Sequence, residues 1–312
     1  MARTKSGKKT KTPAVRHLRY ELTNSGTPGN ETSHYIDLAK DLSALNRRLY
    51  RQGRDYHVRK ITVISSNTPS ADNRISFSTA PDSWVTRNAW NRGFKTWMQM
   101  NKEAGSQTSG IMAGTWADFK VYLSDDMRSG TILQPKDNGG NTPSATNAEW
   151  VYAKYVTSEG TTTHDEFLAH LMGNHNGSSG SRISVGLIKS YGESRATVNA
   201  ESPDTPGDVS DDPLVNVFNF GETIDVVVEN MENANDTPPY SAVNYPGDDA
   251  NMPKPLVIQD TTLMDGKATV GSFNAICGLI EIETKSPIAS DVYSVLVEVA
   301  PGNYRGVAAD VV

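Results

Sequence analysis

Two stretches near the end of the chain, FNAICGLIEIETK (273–285) and VYSVLVEVAP (292–301), decide how the rest is read. Both are dense in Val, Ile, Tyr and Phe, side chains that suit a pleated, half-buried surface. The same composition recurs in HVRKITVISS (57–66), NRISFSTAP (73–81), WADFKVYLSDD (116–126), EWVYAKYVTS (149–158), RISVGLIKSY (182–191), PLVNVFNFGETIDVVVEN (213–230) and KPLVIQD (254–260). Long Gly/Pro/Asn/Asp/Ser loops separate them, such as QPKDNGGNTPSATN (134–147) and NANDTPPYSAVNYPGDDANMP (233–253). About nine strands with few helices predict an all-β sandwich or jelly roll rather than alternating βαβ units.

Three helices interrupt this pattern. In YIDLAKDLSALNRRLYRQG (35–53), Leu38, Leu42, Leu45 and Leu49 recur on one helical face, and Gly53 is the expected stop. Asp37 and Asp41 lie early and Arg47, Arg48 and Arg51 late, as the helix dipole favours. PDSWVTRNAWNRGFKTWMQMNKEAG (81–105) reads as a helix capped by Asp82 or Ser83 and ended by Gly105. Its Trp90, Phe94, Trp97 and Met98 form a stripe suited to core packing. A short helix is expected at THDEFLAHLMG (163–173), with Thr163 as cap.

Charge is unevenly spread. The whole chain carries −6, yet residues 1–60 hold 14 Lys/Arg against 5 Asp/Glu, or +9, leaving 16 against 31, or −15, for the rest. The first nineteen residues contain seven cations and no acid. Such a segment has little to bury and is expected to be disordered in isolation, with a polyanion as partner. Arg3, Lys5, Lys8, Lys9, Lys11, Arg16 and Arg19 can neutralise phosphates without reading bases. Arg47, Arg48 and Arg51 are candidates to extend that basic surface. No aromatic residue is interleaved among the arm cations, so base stacking is not expected to contribute. The division expected is a basic flexible arm over 1–34 and a β domain over 35–312, with deletion of 2–19 leaving that domain folded.

Catalytic signatures are missing. The sequence has no GxSxG elbow, Walker loop, dinucleotide fingerprint or HExxH, and no enzyme activity or cofactor is expected. His164, His170 and His175 are spaced six and five apart, which does not suit one helix face, and no metal site is expected. Asp125, Asp126, Asp248 and Asp249 form acidic turns without an EF-hand pattern. The single cysteine, Cys277, lies in an apolar run and reads as a buried small hydrophobe on a strand. No apolar run is long enough to span a bilayer, and no membrane partner is expected.

The layout of basic arm and loop-rich β body resembles that of small viral coat proteins. The stretches 35–69 and 78–104, together with SVLVEVAPGNYRGVAADVV (294–312), are similar to capsid proteins of small circular Rep-encoding single-stranded DNA viruses. This resemblance implies a viral jelly-roll subunit that self-assembles into an icosahedral shell and packages a single-stranded DNA genome through its basic arm. It implies a virion protein, passing through the host nucleus or cytoplasm during assembly, with its own copies and the genome as partners. DNA and RNA cargo remain open on this reading. The alternative is a non-capsid β-sandwich that binds nucleic acid or carbohydrate.

Overall fold

The fold was established from a computed structural model that describes residues 13–65, 70–107, 118–142, 150–156, 166–178, 181–195, 226–227, 229–231 and 256–312. In chain order the elements are β1 (His17–Thr23), β2 (Glu31–Asp37), α1 (Leu38–Asn46), β3 (Arg54–Ser65), β4 (Ser70–Thr79), α2 (Trp84–Gln107), α3 (Asp125–Ser129) and β5 (Thr131–Ile132). There follow β6 (Lys154–Val156), β7 (Glu166–His170), β8 (Ser184–Gly186), α4 (Leu187–Arg195) and β9 (Leu256–Leu263). The chain closes with β10 (Lys267–Val270), β11 (Phe273–Ala275), β12 (Leu279–Lys285), β13 (Val292–Val299), β14 (Pro301–Tyr304) and β15 (Ala309–Val311).

Most of these strands form two sheets. One has the order β1-β13-β3-β10, with β11 and β15 also paired to β3; the other has the order β5-β2-β12-β4-β9. Strand β13 explains why the first sheet buries one face. Its Tyr293, Val295, Val297 and Val299 point inward while Val292 and Leu296 stay exposed, a period of two. Register then lines up apolar rows, Leu18 and Ile61 on either side of Val297, Tyr20 and Val63 on either side of Val295. In the second sheet Ile280 sits opposite Ile36, and Ile282 opposite Phe77. These inward side chains share one buried cluster, so the sheets pack face to face as an antiparallel sandwich. Counting only β1, β2, β3, β4, β9, β10, β12 and β13, the sheets run first-eighth-third-sixth and second-seventh-fourth-fifth.

A smaller sheet, β6-β7-β8, joins α2 and α4 around a second buried cluster. Tyr35, Ile276, Cys277 and Leu279 from the sandwich enter it. That is why Tyr35 and Ile36, on opposite faces of β2, are both buried. Trp90 is buried and stacks on Phe94 at 5.3 Å; Phe94 and Trp97, both half-buried, pack against the same cluster, so the stripe on α2 holds through Trp97, while Met98 is exposed.

Several expectations are corrected. FNAICGLIEIETK is not one strand: β11 belongs to the first sheet and β12 to the second. Between them Cys277 (φ 57°) and Gly278 (φ 72°) turn the chain in left-handed conformation. A side chain at Gly278 would meet Tyr56 at 2.9 Å. Cys277 is buried as expected, but in this turn, and burial pushes its thiol pKa up. Of the helix expected at 163–173, residues 166–170 form strand β7, held by β6 on one side and β8 on the other. Pairing and burial of Ala169 and His170 outweigh the weak helical pattern there. Of the strand expected over 213–230, the described residues 226–227 and 229–230 are helical.

Of the strand expected at 116–126, the described residues 118–126 contribute only an isolated bridge at Tyr122 before α3. Helix α1 ends at Asn46 with Arg47 as its left-handed cap, not at Gly53, and α2 passes through Gly105. Residues 17–23 and 31–34 are strands of the sandwich rather than arm. Leu18 is fully buried there, so removing 2–19 would take core with it.

Candidate nucleic-acid interface

The interface builds from the loop that follows α1. Asn46, in the last turn, accepts from the Val15 backbone N–H through Oδ1 (2.7 Å) and donates to its carbonyl through Nδ2 (3.1 Å). Arg48 donates to the Pro13 carbonyl at 3.4 Å. The basic N-terminal segment therefore joins the body beside Arg47 and Arg48, both exposed. Two tyrosines pin the loop. Tyr50 donates to the Arg305 carbonyl (2.8 Å) and Tyr56 to the Arg51 carbonyl (2.8 Å). The Arg51 backbone N–H donates in turn to the Tyr304 hydroxyl (3.1 Å), and Arg305 donates to the Leu49 carbonyl.

Tyr304 is thus central to a cationic cluster. The Arg54 guanidinium lies 3.8 Å above its ring and donates to the Ala309 carbonyl at 3.2 Å. The ring meets Tyr50 and Tyr56 edge-on, at 5.9 and 6.5 Å. Arg305 lies 5.7 Å from the same ring. Among the described residues, Asp118 answers these cations: it lies 3.9 Å from Arg51, is mostly buried, and its Oδ2 has no hydrogen-bond partner. Burial raises its pKa, against the pull of Arg51, Lys120 and Arg305. Lys120 is itself buried, which lowers its pKa, with its ammonium 4.8 Å from the Trp150 ring.

The candidate residues divide into three groups. Arg3, Lys5, Lys8, Lys9 and Lys11 lie outside the described residues. Arg47, Arg48 and Arg51 come together on the exposed loop, though not on the helix, which ends before them. Arg16 and Arg19 belong to the sandwich edge. Arg16 is bound to the Val299 carbonyl at 3.5 Å. Arg19 pairs with Glu21 and donates to the Asp137 carbonyl at 3.2 Å, so its charge is locally compensated. A hydrogen bond from Lys136 to the same Glu21 holds that carboxyl below its usual range. Arg54, Tyr304 and Arg305 were missed by sequence reasoning. The pair Tyr304-Arg305 was visible, but nothing local placed it against a loop 250 residues upstream.

Elsewhere several described titratable groups are held by neighbours within the fold. Asp125 accepts from Arg128 (2.7 Å), Asn176 (2.7 Å) and Ser184 (2.6 Å); burial raises its pKa, but these bonds override it and hold the carboxyl at about 2. His170 is buried with Nε2 on the Asn174 carbonyl at 2.9 Å, and burial lowers its pKa. His175 pairs with Glu193 at 2.9 Å. His164, Asp248 and Asp249 lie outside the described residues. Among the described residues no group of three or more His, Cys, Asp or Glu is placed to hold a metal ion. Nor is any described helix long and apolar enough to cross a membrane. No protein-family model, curated protein or solved structure matches this chain.

Proposed function

We propose that this chain is a jelly-roll capsid subunit that assembles with copies of itself and packages a single-stranded nucleic acid, DNA in our reading, through its basic N-terminal segment. The observation that carries the proposal is the point of attachment: the cationic segment joins the sandwich at the Arg47–Arg51 loop. Charge on the segment that leads into Pro13 and charge on the exposed loop are then both available to one polyanion. The first-eighth-third-sixth and second-seventh-fourth-fifth strand orders support the jelly roll, because two nested Greek keys interleave early and late strands in this way. Sandwiches of this order also serve as lectins and cupins, so the fold alone does not choose the function. The acidic remainder of the chain, −15 by the count above, argues against a general nucleic-acid binder and for contact confined to one face. Repulsion between such bodies must be offset at subunit contacts by apolar burial or bound cations.

The test is negative-stain microscopy of the purified full-length protein, with absorbance at 260 and 280 nm on the same fraction. Closed, uniform particles rich in nucleic acid are the expected result. A small nucleic-acid-free species, unchanged by added DNA, would overturn the proposal in favour of a β-sandwich carbohydrate binder.

A further inference from the structure

We infer that Tyr304 and Arg54 form a stacking shelf for an unpaired nucleobase, with Arg51 and Arg305 placed for the adjoining phosphate. The inference rests on the nucleic-acid reading above and goes beyond charge neutralisation. An exposed phosphate-binding face needs only mobile cations. Here the cations are ordered by main-chain acceptors: Arg54 on the Ala309 carbonyl, Arg305 on the Leu49 carbonyl. Arg54 is already layered on an aromatic ring at 3.8 Å, and it remains partly exposed, as does Tyr304. A guanidinium–tyrosine layer of this kind is a surface on which a splayed base continues the stack. Double-stranded DNA keeps its bases stacked on each other and gains only the phosphate contacts. The shelf therefore favours single strands and adds a component of affinity that salt does not remove.

Asp118 fits the same picture. Its buried Oδ2 has no partner, and it faces Arg51, Arg305 and Lys120. It keeps this cluster from being a bare block of like charge, and Arg51, ion-paired to it at 3.9 Å, remains largely exposed.

The experiment compares full-length, nucleic-acid-free protein binding to dA20, to an abasic 20-mer of equal charge, and to a 20-base-pair duplex, across a salt series. Wild type is expected to bind dA20 about five- to tenfold tighter than the abasic strand at 300 mM salt. Arg54→Lys keeps the charge but loses the planar layer, so it should abolish that preference while leaving the salt slope unchanged. Tyr304→Leu should do the same; Arg54→Lys decides if that variant does not fold. Equal binding of dA20 and the abasic strand by wild type overturns the shelf and leaves the packaging reading standing. No binding of any strand at low salt overturns both.

Discussion

The two ends of α1 solve opposite problems. At its N-terminus the chain buries a carboxylate completely. Asp37 caps the helix by accepting from the Lys40 N–H (3.0 Å), and its other oxygen accepts from Gln52 (2.8 Å), Trp150 (3.0 Å) and Tyr152 (3.2 Å). Gln52 then accepts from the Val121 backbone at 2.7 Å. One turn on, Asp41 is buried against the Tyr20 hydroxyl at 2.6 Å. At the C-terminus, Arg47 and Arg48 are exposed and lead into the cationic loop. One end spends its polar groups on neighbours inside the fold, and the other leaves them exposed. The comparison teaches that charge along one short segment says little about role until each group's partners are known.

The largest effect should follow from emptying the buried end. Asp37→Ala strands three side-chain donors and a helix N–H, each costing about 1–3 kcal/mol when left buried and unpaired. Chemical denaturation should show a loss of at least about 3 kcal/mol; a stability change under 1 kcal/mol would mean that water or a shifted loop replaces the carboxylate. Truncation probes where the arm begins. Removing residues 2–12 should leave the melting temperature unchanged and reduce packaged nucleic acid. Removing 2–19 deletes buried Leu18 and three pairs to β13, and should cost about 2–5 kcal/mol in addition. Equal stability of the two truncations would show that β1 is dispensable to the sandwich.

At the exposed end the opposite pattern is expected. Replacing Arg47, Arg48 and Arg51 together by Ala should change folding stability by less than about 0.5 kcal/mol for each of Arg47 and Arg48, with a further loss at Arg51, whose removal leaves mostly buried Asp118 without its ion pair. It should lower the slope of log affinity against log salt by about 2 for single strands, as three lost phosphate contacts require. An unchanged slope would remove the loop from the interface.

A further effect concerns pH. Burial lifts the Asp41 pKa to about 8, above its ordinary value of 3.8, so the folded state holds a proton that the unfolded state releases. Its contribution to stability is fully present below about pH 4 and is lost as pH rises from there through about 8. Asp41→Asn should flatten stability against pH over that window, as read from denaturation midpoints. A wild-type and a variant curve of the same slope would place the proton elsewhere, with Glu281, lifted by burial to about 7, the next group to test.

Much of the architecture was legible because strands that pack on one face must alternate or run apolar. HVRKITVISS, NRISFSTAP, KPLVIQD and VYSVLVEVAP were read as strands, and β3, β4, β9 and β13 lie there. Errors gathered where local pattern and tertiary demand disagree. Residues 166–170 looked helical by composition but are held between two strands, and Cys277-Gly278 interrupts an apolar run because the chain must change sheets. At the candidate interface, Arg47, Arg48 and Arg51 were legible from charge alone. Tyr304 was not: its ring reaches the loop from the far end of the chain, a contact that no local window contains.

By itself, then, the sequence determined the class of the fold, the helix that follows β2 and the separation of a cationic N-terminus from an acidic remainder. These depend on composition and on periods of two and 3.6, which are local properties. Only the tertiary structure decided which sheet each strand joins, which acids are buried and satisfied, and which arginines share a ring. Those outcomes depend on contacts between residues far apart in the chain. Asp37 meets Trp150, Tyr50 meets Arg305, and Leu18 meets Val297, and no local window of the sequence contains both members of any of these pairs.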